Sequence, residues 1–390
     1  MGRQESFIQL DKQYIMNTYA RNDVLLVGGR NATVYDIDGG SYIDFTSGIG
    51  VNSLGFCDER WCTAVTKQVM SLQHVSNLYY TVPDVQVATI LCERTGYKRV
   101  FFSNSGAEAN EGAIKIARQY GMEKHGENCN KILTLVNSFH GRTVTTLAAT
   151  GQDVFHAKFM PLTAGFDYVI ANDIEDLKSK IDETVCGIMF EFVQGEGGVV
   201  PLDRAFVDAI KAVCEEKDIL MIADEVQTGI GRTGTLLASE QFDVKPDITT
   251  LAKGLGGGLP IGAVMVNEKC DLLKYGDHGS TFGGNPIACA GAKVVLDAMT
   301  DELLQGVADK GMQIRDTLIG CDEIASIDGM GLMIGIKLKN KKAADVKNAC
   351  LQRGLMVLTA KDKVRLLPPL TITQDELRRG LAILKQVISE

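Results

Sequence analysis

The chain is poor in several things. It has one tryptophan, eight prolines and five histidines in 390 residues. The histidines, His74, His125, His140, His156 and His278, form no HExxH or related spacing, so no metal site is expected. No apolar run approaches the roughly 18 residues that a membrane helix needs. Met1–Ser6 lacks the hydrophobic core of a signal peptide. The same residues match the loose N-myristoylation pattern, but no polybasic second signal follows. A basic excess is missing too: 40 Lys and Arg stand against 49 Asp and Glu, for a net charge of −9. That balance argues against a nucleic-acid binder. The ten cysteines are scattered without a CxxC pair, which excludes a disulfide framework or a zinc ribbon. They read as reduced thiols of a cytoplasmic protein. With 45% hydrophobic and 23% charged residues the chain is neither disordered nor fibrous. Its length suits one large or two medium domains.

Short apolar runs are present. Val100–Phe102, Ile132–Val136, Gly187–Phe190, Ile219–Ala223, Ile248–Leu251 and Ile261–Val266 are continuous in character, as strands buried on both faces are. Between them lie helical patterns. In Ala107–Glu123 the apolar positions Ala109, Ala113, Ile116, Ala117 and Tyr120 recur at three and four. Phe206, Val207, Ile210, Val213 and Cys214 mark a second amphipathic helix. Strands alternating with helices predict a mostly parallel sheet. Thr33–Phe45 reads instead as a hairpin turning at Asp38-Gly39-Gly40. After Asn285-Pro286, helices over Ile287–Met299 and Asp375–Ile388 mix with short strands at Gly331–Leu338 and Val364–Leu367. The expected fold class is α/β: a large domain over 51–284 with a mostly parallel sheet, and a smaller α+β domain built from both termini, 1–50 and 285–390.

In open α/β sheets ligands sit outside the carboxyl ends of the strands. Five consecutive strand ends here are polar, ionisable or glycine-rich. They read Ser-Asn-Ser-Gly-Ala-Glu-Ala-Asn (103–110), Asn-Ser-Phe-His-Gly-Arg (137–142), Glu191 with Gln194–Gly198, Asp-Glu-Val-Gln (224–227) and Ala-Lys-Gly (252–254). Ser105-Gly106-Ala107 opens a helix, where free N–H groups and the helix dipole bind anions; an ordinary N-cap is the plain alternative. Asp224 ends an apolar strand, where a carboxylate needs a partner. That partner is either a protonated ring nitrogen or a local Lys or Arg. Lys253 lies between an apolar strand and a glycine-rich turn, so it is either a surface lysine or a desolvated nucleophile. Together the three match pyridoxal phosphate, which needs an anion cradle, a carboxylate for its ring nitrogen and a lysine for the Schiff base.

The chain resembles the class III (ω-amino acid) aminotransferases of PLP fold type I. The likeness rests on 103–110, on Ser-Phe-His-Gly-Arg-Thr (138–143), on Asp-Glu-Val-Gln-Thr-Gly-Ile-Gly-Arg-Thr-Gly (224–234) and on Ala-Lys-Gly-Leu-Gly-Gly-Gly-Leu-Pro-Ile-Gly-Ala (252–263). It extends from Asn17-Thr18-Tyr19-Ala20-Arg21 to Val364–Pro369. The resemblance implies that Lys253 is the Schiff-base lysine and proton shuttle and that Asp224 pairs with the pyridine nitrogen. Phe139 and Val226 would flank the ring and Gln227 reach its hydroxyl, while Ser105, Gly106 and Ala107 cradle the phosphate. Thr281 would reach the phosphate of the neighbouring subunit, which implies a homodimer with shared sites. Arg142 would grip a substrate carboxylate with a bidentate fork. Arg365 would bind the α-carboxylate of glutamate or 2-oxoglutarate, and Glu196 would pair with Arg365 until the dicarboxylate arrives; a structural ion pair is the plain alternative. Tyr19 would line the donor pocket. The implied reaction is transamination of N-acetylornithine with 2-oxoglutarate, a step of arginine biosynthesis. Ornithine, succinylornithine, N-succinyl-diaminopimelate and 4-aminobutyrate are competing donors. Two places depart from the family: Gly55-Phe56-Cys57-Asp58-Glu59 replaces a Gly-His-x-His-Pro pattern, and Phe192 replaces a proline.

Two other readings compete. Gly229–Gly234 matches GxGxxG, but a dinucleotide site needs the glycines to join a strand directly to a helix. Asp224–Thr228 intervenes, and Pro246 leaves room only for a short helix. A non-catalytic scaffold should have lost the lysine, the aspartate or an anchoring arginine, and all are present.

Overall fold

The structure, a computed structural model, describes residues 2–390; Met1, which opens the myristoylation pattern, lies outside them. Helix α1 (Arg3–Tyr14) has no buried residue. Strands β1 (Leu26–Arg30), β2 (Thr33–Asp36) and β3 (Ser41–Asp44) form an antiparallel meander, and Leu355–Met356 adds to β3 in parallel. The expected hairpin forms because Asp36 closes its own turn: Oδ1 accepts from Asp38 N at 3.0 Å and Gly40 N at 2.7 Å, with Gly39 at φ +90°. Helix α2 (Glu59–Val69) starts on the Asp58 cap, and α3 (Val82–Thr95) ends at left-handed Gly96.

A seven-stranded sheet follows. Its strands are β4 (Arg99–Ser103), β5 (Lys131–Leu135), β6 (Phe166–Val169), β7 (Val185–Phe190), β8 (Leu220–Asp224), β9 (Ile248–Leu251) and β10 (Gly262–Val266). Their spatial order is β4-β10-β9-β8-β7-β5-β6. All adjacent pairs are parallel except those of β10, which is antiparallel to both neighbours. Helix α4 (Gly106–His125) covers one face and α5 (Arg204–Lys217) the other. On β8 the two-residue period sorts the layers. Leu220 and Ile222 join the cluster containing Ala109, Ala113 and Tyr120 of α4. Met221 and Ala223 join the cluster containing Phe206, Val207 and Ile210 of α5. The next residue, Asp224, therefore turns toward α4. Phe192, the departure from proline, is fully buried and stacks on Phe242 at 4.9 Å, filling the α5-side core.

The chain continues through α6 (Pro286–Ala298) and α7 (Asp301–Leu318). An antiparallel sheet of β11 (Ile324–Met330), β12 (Met333–Leu338), β13 (Leu358–Ala360) and β14 (Lys363–Leu366), in the order β11-β12-β14-β13, precedes α8 (Gln374–Ser389). The two ends of the chain share a core, with Ile43 and Phe45 packed among Leu355, Leu366, Leu377 and Leu381. The Gly229–Gly234 run lies in turns, followed only by a 3-10 turn at Ala238–Phe242, so it joins no strand to a helix. Among the described residues no helix is long and apolar enough to cross a membrane.

Candidate active site

The ends of β8, β9, β7, β5 and β4 converge on one cavity of about 500 Å³. Asp224 is held by three hydrogen bonds there. Its Oδ2 accepts from Asn110 Nδ2 at 2.8 Å and pairs with His140 Nδ1 at 2.8 Å, while Oδ1 accepts from Val226 N at 3.0 Å. Asn110 lies on α4, the layer toward which β8 turns Asp224. Thr250 Oγ1, at the end of β9, donates to Asn110 Oδ1 at 2.7 Å and so fixes the amide. His140 Nε2 is buried without a partner among the described residues. The partner of Asp224 within the chain is thus a histidine, not the lysine or arginine of the plain reading.

Lys253 follows β9 and opens a 3-10 turn (Lys253–Gly256) with φ +40°, a left-handed conformation that non-glycine residues adopt at some cost. Burial, aided by the Arg365 charge, holds its amine below the ordinary lysine range, with Glu196 and Asp224 pulling the other way. Glu191, just past β7, accepts from Phe139 N at 2.9 Å and Gly195 N at 3.2 Å. Burial pushes its carboxyl up; His140 opposes this and Asp224 adds to it.

The first turn of α4 forms the cavity's far wall. Ser105 Oγ accepts from Glu108 N at 3.2 Å, an N-cap bond. The N–H groups of Gly106 and Ala107 come next, in the turn where a helix has no internal partners for its donors. Gly106 is required by close approach: a Cβ there would sit 2.7 Å from Val226 Cγ1. Phe139, Gln227 and Arg142 also line the cavity. The Arg142 guanidinium lies 4.1 Å from the Phe155 ring centroid and 5.5 Å from that of Phe139.

Strand β14 carries Arg365 to the same place. Its Nη1 donates to Glu196 Oε1 at 2.6 Å and to Gln227 Oε1 at 3.3 Å, and Nη2 donates to Glu196 Oε2 at 3.4 Å. Burial alone would raise the Glu196 carboxyl, but Arg365 overcomes it and holds the group below its usual range. Two expected residues stay outside. Tyr19 is 75% exposed, on a separate groove formed by α1 and residues 17–25. Thr281 is exposed, although its neighbour Ser280 Oγ accepts from Asn104 Nδ2 at 3.1 Å on the cavity's rim. Asn110, His140 and Glu191 had no expected role. Each lies in a strand-end segment that the sequence singled out, but their partners are distant in the chain.

This constellation on a mostly parallel sheet defines an enzyme of the aminotransferase type. The family profile described as Aminotransferase class-III matches residues 15–388, and the chain belongs to that family, whose members are pyridoxal phosphate-dependent. It is 53% identical to the acetylornithine aminotransferase of Haemophilus ducreyi over 385 residues, covering 98% of each chain. It superposes on an ornithine aminotransferase of Toxoplasma gondii, with PLP at partial occupancy in its active site. The TM-score is 0.94 at 34% identity, with 99% and 94% of the two chains covered. It superposes likewise on the N-acetylornithine aminotransferase of Stenotrophomonas maltophilia, with a TM-score of 0.84, 34% identity and 98% of each chain covered. The residues present fit the cofactor. The glycine cradle at 106, the first-turn donors, the fixed carboxylate of Asp224 and the depressed amine of Lys253 all face one cavity.

Proposed function

We propose that the chain transaminates N-acetylornithine with 2-oxoglutarate, giving N-acetylglutamate 5-semialdehyde and glutamate in arginine biosynthesis. We read it as a cytoplasmic homodimer. Residues 51–284 would carry the cofactor, and the smaller part, 1–50 with 285–390, would deliver Arg365. The observation that carries the reading is the pair of buried Arg365 with half-buried Glu196 beside Lys253. An enzyme that takes a terminal amine in one half-reaction and a dicarboxylate in the other needs an arginine it can cover and uncover. The name of the Haemophilus ducreyi relative supports the acetylated donor.

Bound here, pyridoxal phosphate supplies the electron sink for negative charge at the amine-bearing carbon and carries the amino group between half-reactions. Gly106 and Ala107 N–H, with Ser105, would hold its phosphate. Asp224, fixed by Asn110, His140 and the Val226 amide, would accept from its ring nitrogen. Phe139 and Val226 would pack on its two faces, and Gln227 would reach its hydroxyl. Lys253 Nζ takes the proton from the substrate's amine-bearing carbon and returns it once the amino group has moved; its depressed basicity favours the free amine that accepts it. Arg142 binds a substrate carboxylate, and its planar head is already oriented by Phe155. Glu196 neutralises Arg365 while the donor is bound. It swings away when the α-carboxylate of 2-oxoglutarate takes its place.

The test is a single-turnover absorbance scan of holoenzyme with N-acetylornithine, ornithine, 4-aminobutyrate and glutamate added separately. N-acetylornithine and glutamate are expected to convert the cofactor's visible band fast, and the other two slowly. Fast conversion by ornithine or 4-aminobutyrate instead would move the donor while keeping the chemistry. No conversion by any of them would sink the reading.

A further inference from the structure

The departure from the family pattern at Gly55–Glu59 has a definite place at the start of α2. Asp58 is the N-cap, and its side chain accepts from Arg60 N and Trp61 N. Cys57 is the residue before the cap. Cys62 is the fourth residue inside the helix, and its N donates to Asp58 O at 2.9 Å. These are the two positions at which apolar side chains pack across a helix start as a staple. Here both are thiols. Cys57 is exposed, the only one of the ten cysteines that is, and Cys62 is half-buried. Burial first, then the adjoining Cys57 thiol and the Asp58 carboxylate, push the Cys62 thiol up.

We propose that Cys57 and Cys62 form a dithiol that low-molecular-weight disulfides convert reversibly into a protein disulfide. Cys57, as thiolate, attacks one sulfur of the small disulfide. That S–S bond breaks, a mixed disulfide forms on Cys57 and one thiolate leaves. Cys62 then gives its proton to solvent and attacks Cys57 Sγ, expelling the second thiolate. The protein loses two hydrogens and two electrons, and the small disulfide becomes two thiols. The bond closes the staple over the turn that holds Trp61. Trp61 Nε1 donates to Gly256 O at 3.1 Å, in the turn opened by Lys253. The indole also lies so close to α6 that a Cβ on Gly291 would be 2.7 Å from Nε1. The oxidation state of the pair is thus transmitted to the wall behind Lys253.

Trp61 is the chain's single tryptophan, so its emission reports on this turn alone. Holoenzyme is equilibrated with oxidised glutathione and then with dithiothreitol, and samples are alkylated, peptide-mapped and read for Trp61 emission. The expected result is loss of two alkylatable thiols, both at 57 and 62, with a fall in emission, each reversed by dithiothreitol. Cys62→Ser should hold a stable glutathione adduct on Cys57, and Cys57→Ser should leave Cys62 alkylatable throughout. Retention of both thiols, mapping of the bond to another pair, or an unmodified Cys57 in Cys62→Ser would overturn the dithiol. A bond at 57 and 62 with unchanged emission would overturn its coupling to the Lys253 turn.

Discussion

The two parts of the proposed site are built in opposite ways. Around Lys253 the polar groups are sealed in: Asp224, Asn110, His140, Glu191 and Arg365 are each 4% exposed or less. Burial of that much polarity is tolerable because nearly every group has a named partner. Tyr19 is 75% exposed, and Phe282, beside Thr281, is 59% exposed. Within one chain the sealed groups gather at the cavity, while Tyr19 and Thr281 stay outside it. That is the pattern expected if a second copy supplies the missing wall, as the homodimer reading requires.

The comparison is tested hardest at its sealed end. Lys253→Ala removes the amine that moves the proton, so turnover should fall by about 10³-fold or more in steady-state assays. A variant retaining a tenth of the activity would break the proton-transfer role given to Lys253. Arg365→Ala comes next. It removes the guanidinium that would pair with the α-carboxylate of 2-oxoglutarate, a loss of about 2–5 kcal/mol for truncating one partner of a hydrogen-bonded charge pair. The expected fall in kcat/KM for 2-oxoglutarate is roughly 30-fold or more. Glu196→Ala should spare the dicarboxylate and impair discrimination between the two substrates, and a double-mutant cycle measures the coupling. Equal losses for both substrates in both variants would reduce the pair to a structural bridge.

The sealed part was the more legible one in the sequence, for a physical reason. Strands such as Leu220–Ala223 are buried on both faces and so are written as continuous apolar runs. The polar residue that ends each run marks the cavity. Phe166–Val169 is the edge strand β6, with Phe166, Asp167 and Tyr168 only half-buried, and its mixed composition hid it. The direction of β10 is not encoded in its own residues: Gly262–Val266 reads like the parallel strands of the sheet yet runs antiparallel to both neighbours. His140 lay inside a recognised motif but without a role, because its partner Asp224 is 84 residues away. The strand period alone could have found Asn110, since it turns Asp224 toward the layer where α4 begins.

Adjacent carboxylates sharpen the comparison further. Asp224 faces the cavity, whereas Glu225 accepts from Ala238 N at 2.6 Å, Ser239 N at 2.9 Å and Thr228 Oγ1 at 3.1 Å, away from it. Burial pushes the Glu225 carboxyl up to about 7 despite those bonds. The folded chain then keeps a proton that the unfolded chain releases near 4.5, so it binds more protons across that window. Stability should fall as pH rises from about 4.5 to 7, by up to about 3 kcal/mol, with the penalty complete above it. Glu225→Gln should flatten this slope in denaturant titrations at pH 5, 6, 7 and 8 while leaving the cavity's cofactor spectrum intact. Glu191, also pushed up, keeps part of the slope in the variant. An unchanged slope would place the proton elsewhere.

The smallest effects belong to the exposed part, and they separate a shared site from a self-contained one. Within one chain Thr281 Oγ1 has no hydrogen-bond partner among the described residues, so in a monomer Thr281→Ala should be nearly silent. Under the homodimer reading its hydroxyl meets the phosphate in the neighbouring subunit. Its loss then removes one bond to a charged acceptor, about 1.5–3 kcal/mol, or roughly 10- to 100-fold in cofactor retention. Thr281→Ser keeps the hydroxyl and should keep the affinity. Tyr19→Phe should act more weakly still, on the KM of the amine donor and not on cofactor retention, because the resemblance assigns it to the donor pocket. Cofactor dissociation followed by absorbance, at protein concentrations above and below that of subunit association, reads the first, and steady-state KM for the amine donor reads the second. Retention that is equal in Thr281→Ala and the parent at every concentration would mean that each chain holds its cofactor alone, and the exposed segment would then need another occupant.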